Sequence, residues 1–461
     1  MGTYDYIYRT WVFPYRDRRR GFFDVCKTLE NELIAVGENA RAHQWKSLQA
    51  ICKHAAKSSP YWRDVFGEVG ISAQKDFSLE EFLRVPILEK STIRDRLEEV
   101  SSSSVLPKDR VLSQTGGSTA APTRFYADRC CQRKRGALRW LYWKWIGRTF
   151  YSRWGKVWGA ASDLGGKIGS NRQRAKDRLF DRCLVLHSNR MSQKEMREFL
   201  RGLQSFKAEF LHGYGQAIHR LAEMIVDSPD LRPSLRGITY AAEPVSKSQR
   251  RVIEDAFKAP VFSHYGTREF GTIGAELPDS TQLHVVPSSV FVEIVNEKQE
   301  PVPPGEVGRI IVTDLWNQAT GFIRYRIGDL GRILPDVTLN GLEFQRIELI
   351  GGRETDFIVV ENGQLVSGAL LTTFQTPGVA EIQYRQSTLG EIEIHYVPTR
   401  EFDNSSIEII GNQIAKRISP KLKIRWIERS EIHNLQSGKT LVVVCTLAKN
   451  LDKLQDPLNE K

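Results

Sequence analysis

The chain has 461 residues, a formal charge of +11, 41% hydrophobic residues and 26% charged ones. That length exceeds what one hydrophobic core serves, so two or more domains are expected, and the composition is that of a globular rather than a disordered chain. No apolar run approaches the roughly 20 residues that span a bilayer, the first residues lack a signal peptide's apolar core, and six scattered cysteines without a CxxC pair argue against a disulfide framework or a zinc site and for a reducing cytoplasm.

In chain order, the opening stretch mixes Tyr, Trp and Phe with Arg16, Arg18, Arg19 and Arg20. It reads as an amphipathic first helix packed on the domain with its charges in water; the alternative is contact with a membrane interface. Residues 20 to 60 read as helical, with Trp45, Leu48, Ile51, Cys52 and Ala55 at helical spacing and Ser59-Pro60 ending the run. Pro86-Ile87-Leu88 leads into a short helix ending near Glu99, and a Ser-rich loop fills 101 to 107.

From residue 110 strands and helices alternate. Helices are expected over Gln193–Phe206, from Gly215 through Val226, and over Ser246–Phe257; strands over Glu209–His212, Arg236–Tyr240 and Val261–His264. This alternation predicts βα units and a largely parallel sheet. After Leu283 the pattern turns to antiparallel strands, Val290–Val295, Gly308–Thr313 and Gly331–Leu334, separated by Pro and Gly turns. Gly351-Gly352 reads as a linker to a small α+β unit, with strands near 391–397, 423–427 and 440–447 and a helix near 405–418. Much of the positive charge lies between Arg124 and Arg182; it attracts nucleic acid, anionic lipid or polyphosphate alike, and without a nucleic-acid-binding motif no nucleic acid is expected.

Five tracts carry candidate chemistry. Thr115, Gly116, Gly117, Ser118 and Thr119 combine close-approach glycines with hydroxyl donors, which suits phosphate, although the Gly-Lys-Ser/Thr ending of a P-loop is missing. Glu269 lies just past a predicted parallel strand, where open α/β sheets bind ligands, and offers Mg²⁺ an oxygen ligand. Asp329, read as a carboxylate in a tight turn, can accept both hydroxyls of a ribose. Lys439, in Ser437-Gly438-Lys439, is a compact loop charge suited to a reacting phosphate. Glu243-Pro244 follows a strand and lines a pocket for a flat base. Taken singly, each also has a plain structural reading: a solvated turn, a helix cap, a surface Asp or a solvated Lys. The nine histidines show no metal-ligand spacing and are expected to be structural.

Order and spacing join these tracts. HAAKSSPYWRDVF, VPILEKSTIRD, SQTGGSTAAPTRFY, LHGYGQAIHRLAEM, YAAEPVSKSQRRVIEDAF, VFSHYGTREFGTIGAE, PVPPGEVGRIIVTDL, FIRYRIGDLGRI, GGRETDFI and QSGKTLVVV run nearly the length of the chain. Together they resemble the adenylate-forming superfamily, and within it the phenylacetate–CoA ligase family and its CapK-like branch of capsular polysaccharide biosynthesis proteins. The resemblance implies an α/β fold: a large N-terminal domain over 1–351, with a helical lead-in to about 108 and a β-rich subdomain, and a small mobile α+β domain over 352–461, with the active site between them. It implies ATP and Mg²⁺ as cofactors, a small carboxylic acid as substrate, and coenzyme A or another nucleophile as acyl acceptor. The 115–119 loop would hold the ATP phosphates; Ala242, Glu243 and Pro244 would border the adenine with Tyr265 stacked on it beside Gly266. Glu269 would ligate Mg²⁺ with Thr267 next to it, Asp329 would bind the ribose, Arg353 would steady the nucleotide, and Lys439 would reach the α-phosphate.

The sequence departs from the family in four places. Ala120 stands where a third Gly is common, and Thr355 holds a hinge position where Asp or Lys is common. No cysteine occurs between Asp329 and Arg353, and Leu277 replaces another frequent Cys, so no zinc is expected. QLVSGALL replaces a basic, Pro-containing segment, which leaves the acceptor open. The leading expectation is an acyl-adenylate-forming ligase, with a role in surface polysaccharide biosynthesis as its finer form. The alternative is a non-catalytic nucleotide-binding scaffold. A homodimer and a peripheral membrane contact are left open.

Overall fold

The computed structural model describes residues 3–115, 123–159, 171–188, 191–278, 280–296, 298–353, 357–361, 365–367, 371, 374, 376–432, 443–445 and 447. Two compact units divide the chain: residues 1–327 with 331–348, and residues 328–330 with 349–461. Among the described residues no helix is long and apolar enough to cross a membrane.

The first unit opens with helices. α1 (Thr3–Ile7) passes through a π-turn at Tyr8–Val12 into α2 (Phe13–Arg20), followed by α3 (Phe22–Val36) and α4 (Ala40–Ser58). Ser59-Pro60 was expected to end the helical run, yet it also starts a helix. The Ser59 hydroxyl caps α5 (Pro60–Glu68) by accepting from the Trp62 N–H, and Pro60 sits in the first turn, where its missing N–H costs nothing. Short helices α6 (Leu79–Leu83), α7 (Lys90–Asp95) and α8 (Leu97–Val100) lead to a hairpin of β1 (Arg110–Gln114) and β2 (Arg124–Asp128). Asp128 then caps α9 (Arg129–Trp145), accepting from Cys131 N at 2.8 Å.

The alternating region supplies β3 (Trp154–Trp158), α10 (Asn171–Leu179), β4 (Cys183–His187), α11 (Gln193–Phe206), β5 (Phe210–Tyr214), α12 (Gly215–Asp227), β6 (Gly237–Ala241), α13 (Lys247–Phe257) and β7 (Val261–Thr267). Both α11 and α13 start at capping boxes, Ser192 with Glu195 and Ser246 with Gln249. Met196, Phe199, Leu200 and Leu203 repeat at three and four residues, and α11 buries that stripe against Val157 and Leu211 on one face of the sheet. β8 (Gly271–Ala275), β9 (Leu283–Val285), β10 (Val290–Val295), β11 (Gly308–Asp314), β12 (Tyr325–Leu339) and β13 (Leu342–Arg353) follow.

These strands form one sheet of eleven, in the order β10-β11-β12-β13-β9-β8-β7-β6-β5-β3-β4. β4, β3, β5, β6 and β7 are parallel; β8 pairs antiparallel with β7, and β9 with β8 and β13. The expected antiparallel region thus extends the parallel sheet. Gly351-Gly352, expected as a linker, closes β13 as strand.

α9 covers the opposite face. Leu138 and Leu141 pack on Leu29 and Leu33 of α3, and Tyr142 Oη donates to His284 O at 2.7 Å. Beyond it, Arg324 is 1% exposed at φ 47°, a conformation that side-chain-bearing residues adopt only under constraint. Its Nε reaches Glu293 Oε2 at 3.3 Å, its Nη2 lies 3.0 Å from Glu293 Oε1, and its Nη1 donates to Leu83 O and Val85 O, both at 2.6 Å. Burial pushes the Glu293 carboxyl up and Arg324 pulls it back.

In the second unit, β14 (Phe357–Val359) pairs with β15 (Leu365–Ser367). β16 (Val379–Thr388), β17 (Glu391–Pro398), β18 (Lys423–Glu428) and β19 (Val443–Cys445) form a sheet ordered β18-β17-β16-β19. α14 (Asn404–Arg417) buries Ile410 and Ile414 in a cluster with Tyr384, Ile392 and Ile394. All six cysteines are free; Cys130 is exposed and the other five are buried. Burial pushes the Cys26 thiol up to about 12 and those of Cys52, Cys131 and Cys183 up as well.

Replacing Arg324 with Met strands the Glu293 carboxylate in the core, so a loss of about 3–5 kcal/mol in urea unfolding is expected. Pairing Arg324→Met with Glu293→Leu is expected to restore most of it.

Candidate active site

Three neighbouring parallel strands end side by side. Tyr214 of β5 pairs with Ala241 of β6, and Ala241 with His264 of β7. Beyond these pairs lie Ala242, Glu243 and Pro244 in the turn after β6, Gly266 and Thr267 as the last residues of β7, and Glu269 in the turn after it, with Tyr265 buried in β7. Open α/β sheets present ligand sites at this edge.

Each turn is tightly held. Ala242 sits at φ 70°, left-handed for a residue with a Cβ. Glu243 is 8% exposed, and its Oε2 accepts from Gln216 N at 3.0 Å in the first turn of α12, while Pro244 O accepts from Gln216 Nε2 at 2.8 Å. A carboxylate there meets the positive end of the helix dipole and fixes the β6–α13 loop.

Gly266 is required by space, because a Cβ would lie 2.0 Å from Gly271 O. Gly271 itself has φ 74°, and the β7–β8 register shifts between Tyr265 and Gly266. Thr267 Oγ1 accepts from Phe270 N at 3.3 Å, tightening the turn that holds Glu269. Glu269 is 8% exposed, and Tyr325 Oη donates to its Oε1 at 3.3 Å. Tyr325 lies inside the Arg-Tyr-Arg tract that the sequence reading singled out only for Asp329.

Thr115 closes the base of its loop. Its N donates to Thr123 O at 2.9 Å, and its Oγ1 accepts from Thr123 N at 3.0 Å. Gly116, Gly117, Ser118, Thr119, Ala120, Thr355 and Lys439 lie outside the described residues. Arg353 ends β13. Asp329, expected in a tight turn, lies instead within β12, one residue after Gly328 at φ 88°.

Sequence reasoning missed a polar and aromatic layer between the sheet and α9. Lys156, His212 and Thr239 share one cross-strand row. His212 Nδ1 lies 2.9 Å from Thr239 Oγ1, and its ring stacks on Trp158 at 5.3 Å between centroids. Trp158 also meets Tyr214 at 4.3 Å, Trp143 meets His212 at 5.5 Å, and Lys156 Nζ lies 5.2 Å from the Trp158 centroid. Below them the Arg148 guanidinium is held between Trp143 and Trp154, 4.1 Å from each ring. Burial pushes Arg148 down to about 9. The one available signal was Trp-Gly-Lys-Val-Trp, whose period of two puts Trp154, Lys156 and Trp158 on one face.

Burial, reinforced by Arg139 and Arg148, pushes His264 down to about 3; burial first, then His264 and nearby cations, holds His212 well below its ordinary value. Both rings are therefore neutral in the fold, whereas the unfolded chain takes up protons below about 6.5. Stability from this source is present above that value and lost as pH falls toward 3. Urea midpoints are expected to drop from about pH 6.5 to 4, and His264→Gln is expected to flatten that slope.

Comparisons with known proteins bear on this edge. A family model described as AMP-binding enzyme matches residues 182–317. Protein CapK of Staphylococcus aureus is 24% identical over 92% of this chain and 90% of its own length. Phenylacetate-coenzyme A ligase of Pseudomonas putida is 23% identical over 93% and 95%. Among solved structures, 2-hydroxyisobutyryl-CoA ligase in the postadenylation state, bound to 2-HIB-AMP, aligns with a TM-score of 0.69 at 18% identity over 89% of this chain and 91% of that one. The amide bond synthetase McbA from Marinactinospora thermotolerans aligns at 0.51 and 18% identity over 72% and 67%.

Proposed function

We propose, from the premise that this chain belongs to the adenylate-forming superfamily of AMP-binding enzymes, that it uses ATP to activate a carboxylic acid as an acyl-adenylate and passes the acyl group to a second nucleophile. The supporting observation is the buried Glu269 carboxylate, fixed on the β7–β8 turn under the Tyr325 hydroxyl. A hard oxygen donor there fits Mg²⁺, which binds through one or two carboxylates plus phosphate and water. Phosphate oxygens and water would supply the remaining ligands. Bound Mg²⁺ supplies positive charge against the triphosphate.

In this reading Thr115 anchors the loop of Gly116, Gly117, Ser118 and Thr119 on the ATP phosphates. Ala242, Glu243, Pro244, Tyr265 and Gly266 border the adenine, with Glu243 acting through the loop that its bond to Gln216 N fixes. Thr267 positions Glu269 by tightening the turn. Asp329 takes the ribose hydroxyls, Arg353 steadies the nucleotide, and Lys439 meets the α-phosphate. The substrate carboxylate attacks the α-phosphorus, pyrophosphate leaves, and a mixed anhydride remains; Lys439 offsets the charge that crowds this step. The acid's body enters the layer of Trp158, His212 and Tyr214. His264, in register with Tyr214, precedes Gly266 by two residues, so this layer lies roughly 7 Å along the strands from the nucleotide edge. Aromatic walls exclude water that would hydrolyse the anhydride. Coenzyme A is the proposed acceptor, with an amine giving an amide as the second choice. A role in surface polysaccharide biosynthesis is proposed on the CapK likeness alone.

Carboxylate-dependent ATP–pyrophosphate exchange, run with Mg²⁺ against aryl, fatty, hydroxy and amino acids, tests the reading. One acid class is expected to support exchange, with losses of about 100-fold or more in Glu269→Gln and Lys439→Ala. Trp158→Ala is expected to raise KM for the acid and leave that for ATP unchanged. No exchange across the panel, with ATP still bound, would replace catalysis by a binding role.

A further inference from the structure

The opening helical segment, which runs into the basic residues 16–20, meets the end of α10, the other basic stretch of the sequence. Tyr8 Oη donates to Phe180 O at 2.9 Å, and Asp5 pairs with Arg182, so the opening helical segment is bonded to the end of α10. Tyr8 faces inward at 1% exposed. Its neighbours face outward: Ile7 is 44% exposed, Trp11 69% and Tyr15 59%, and on the α10 side Leu179 is 48% and Phe180 44% exposed. The expectation of an amphipathic helix with its apolar side packed away is therefore only half met, since a second apolar stripe points into solvent.

Charge indicates what covers this stripe. Ile7, Trp11, Tyr15 and Arg19 follow at intervals of four residues. α2 carries Arg16, Arg18, Arg19 and Arg20 against Asp17, and α10 carries Arg172, Arg174, Lys176 and Arg178 against Asp177. Both acids are engaged locally, Asp17 Oδ1 by Phe23 N at 2.9 Å and Asp177 Oδ1 by Gln173 Nε2 at 2.7 Å. Asp5 is held by Arg182 and Arg153, and Asp181 follows Phe180, so that five cationic residues of 171–182 stand against Asp177 and Asp181.

A flat protein partner would have to be strongly acidic and apolar at once, whereas an anionic bilayer is both. Trp and Tyr suit the headgroup boundary, where one end of the ring is dry and the other wet. Nucleic acid would match the arginines and leave Ile7, Leu179 and Phe180 unburied.

We propose that the surface formed by α1, α2 and α10 docks on an anionic lipid bilayer. Trp11, Ile7, Tyr15 and Phe180 enter the headgroup boundary, with the exposed Lys176 and Arg178 of α10 over the lipid phosphates and the basic sequence of α2 adding to the attraction. The enzyme is then a peripheral membrane protein, held by partly buried side chains and charge rather than by a spanning helix.

Co-sedimentation of the full chain with two vesicle types tests this: phosphatidylcholine alone, and equimolar phosphatidylcholine and phosphatidylglycerol. Binding is expected to the anionic vesicles only and to weaken as salt rises. Trp11→Ser with Ile7→Ser is expected to lower the partition coefficient about tenfold or more, and so is Lys176→Glu with Arg19→Glu. Ile7, Trp11 and Lys176 are exposed, so thermal midpoint and adenylation are expected to stay unchanged. Equal binding to both vesicle types, binding to neither, or tighter binding to duplex DNA would overturn the proposal. So would a concentration-dependent dimer abolished by the Trp11 and Ile7 changes.

Discussion

The β7 backbone at Gly266 passes so close to the Gly271 carbonyl that no methyl group fits on Gly266, and Gly271 holds a left-handed φ of 74° at a shift in the β7–β8 register. This is where the sheet changes from parallel to antiparallel. β7 has arrived as the last of the parallel strands, and β8 must turn back immediately for β9 and β13 to find their partners. The same tightness lifts Glu269 out of the strands and presses it under the Tyr325 hydroxyl. Architecture and the candidate chemistry thus rest on one turn, closed by a steric requirement at Gly266 and a left-handed backbone at Gly271.

Around that turn, buried polar groups do the aligning. Asp128 receives N–H groups from α9 and from Gln318, while Arg135 of α9 pairs with Asp314 at the end of β11. Arg324 ties β10 to the carbonyls of residues 83 and 85. Hydrophobic area supplies the driving force for folding, yet it is non-directional. Hydrogen-bonded charges in a low-dielectric interior accept few geometries, so they fix where helices start and which strand ends meet. Breaking one is costly because its partner stays buried.

Much of this could be read in advance where the determinants are local. The boxes at Ser192 and Ser246 and the apolar stripe of α11 announce helices within a few residues. The Gly-rich turn after His264 places Glu269 at a strand end. What escaped depends on pairing between distant segments. Nothing near Asp329 shows that β12 runs unbroken for 15 residues, since Gly328 looks like a turn unless its partner strands are known. Trp143, Trp158, His212 and His264 come from four elements, and no single tract signals that their rings converge. Ser59-Pro60 ends α4 as expected, and the start of α5 at the same two residues escaped for the opposite reason. Proline ends one helix and starts another with the same fixed φ, and only the Trp62 N–H reaching Ser59 decides which.

The distribution of thiols has a practical side. With five of six cysteines enclosed and the thiols of four of those five driven toward their unreactive protonated form, Cys130 on the outer side of α9 is the accessible nucleophile. A maleimide dye or spin label added to the unmodified chain at neutral pH will report from one defined place, one turn from Lys134 and next to the helix cap at Asp128. The fold has in effect left itself a single attachment point for spectroscopy, with no cysteine-free background to engineer first.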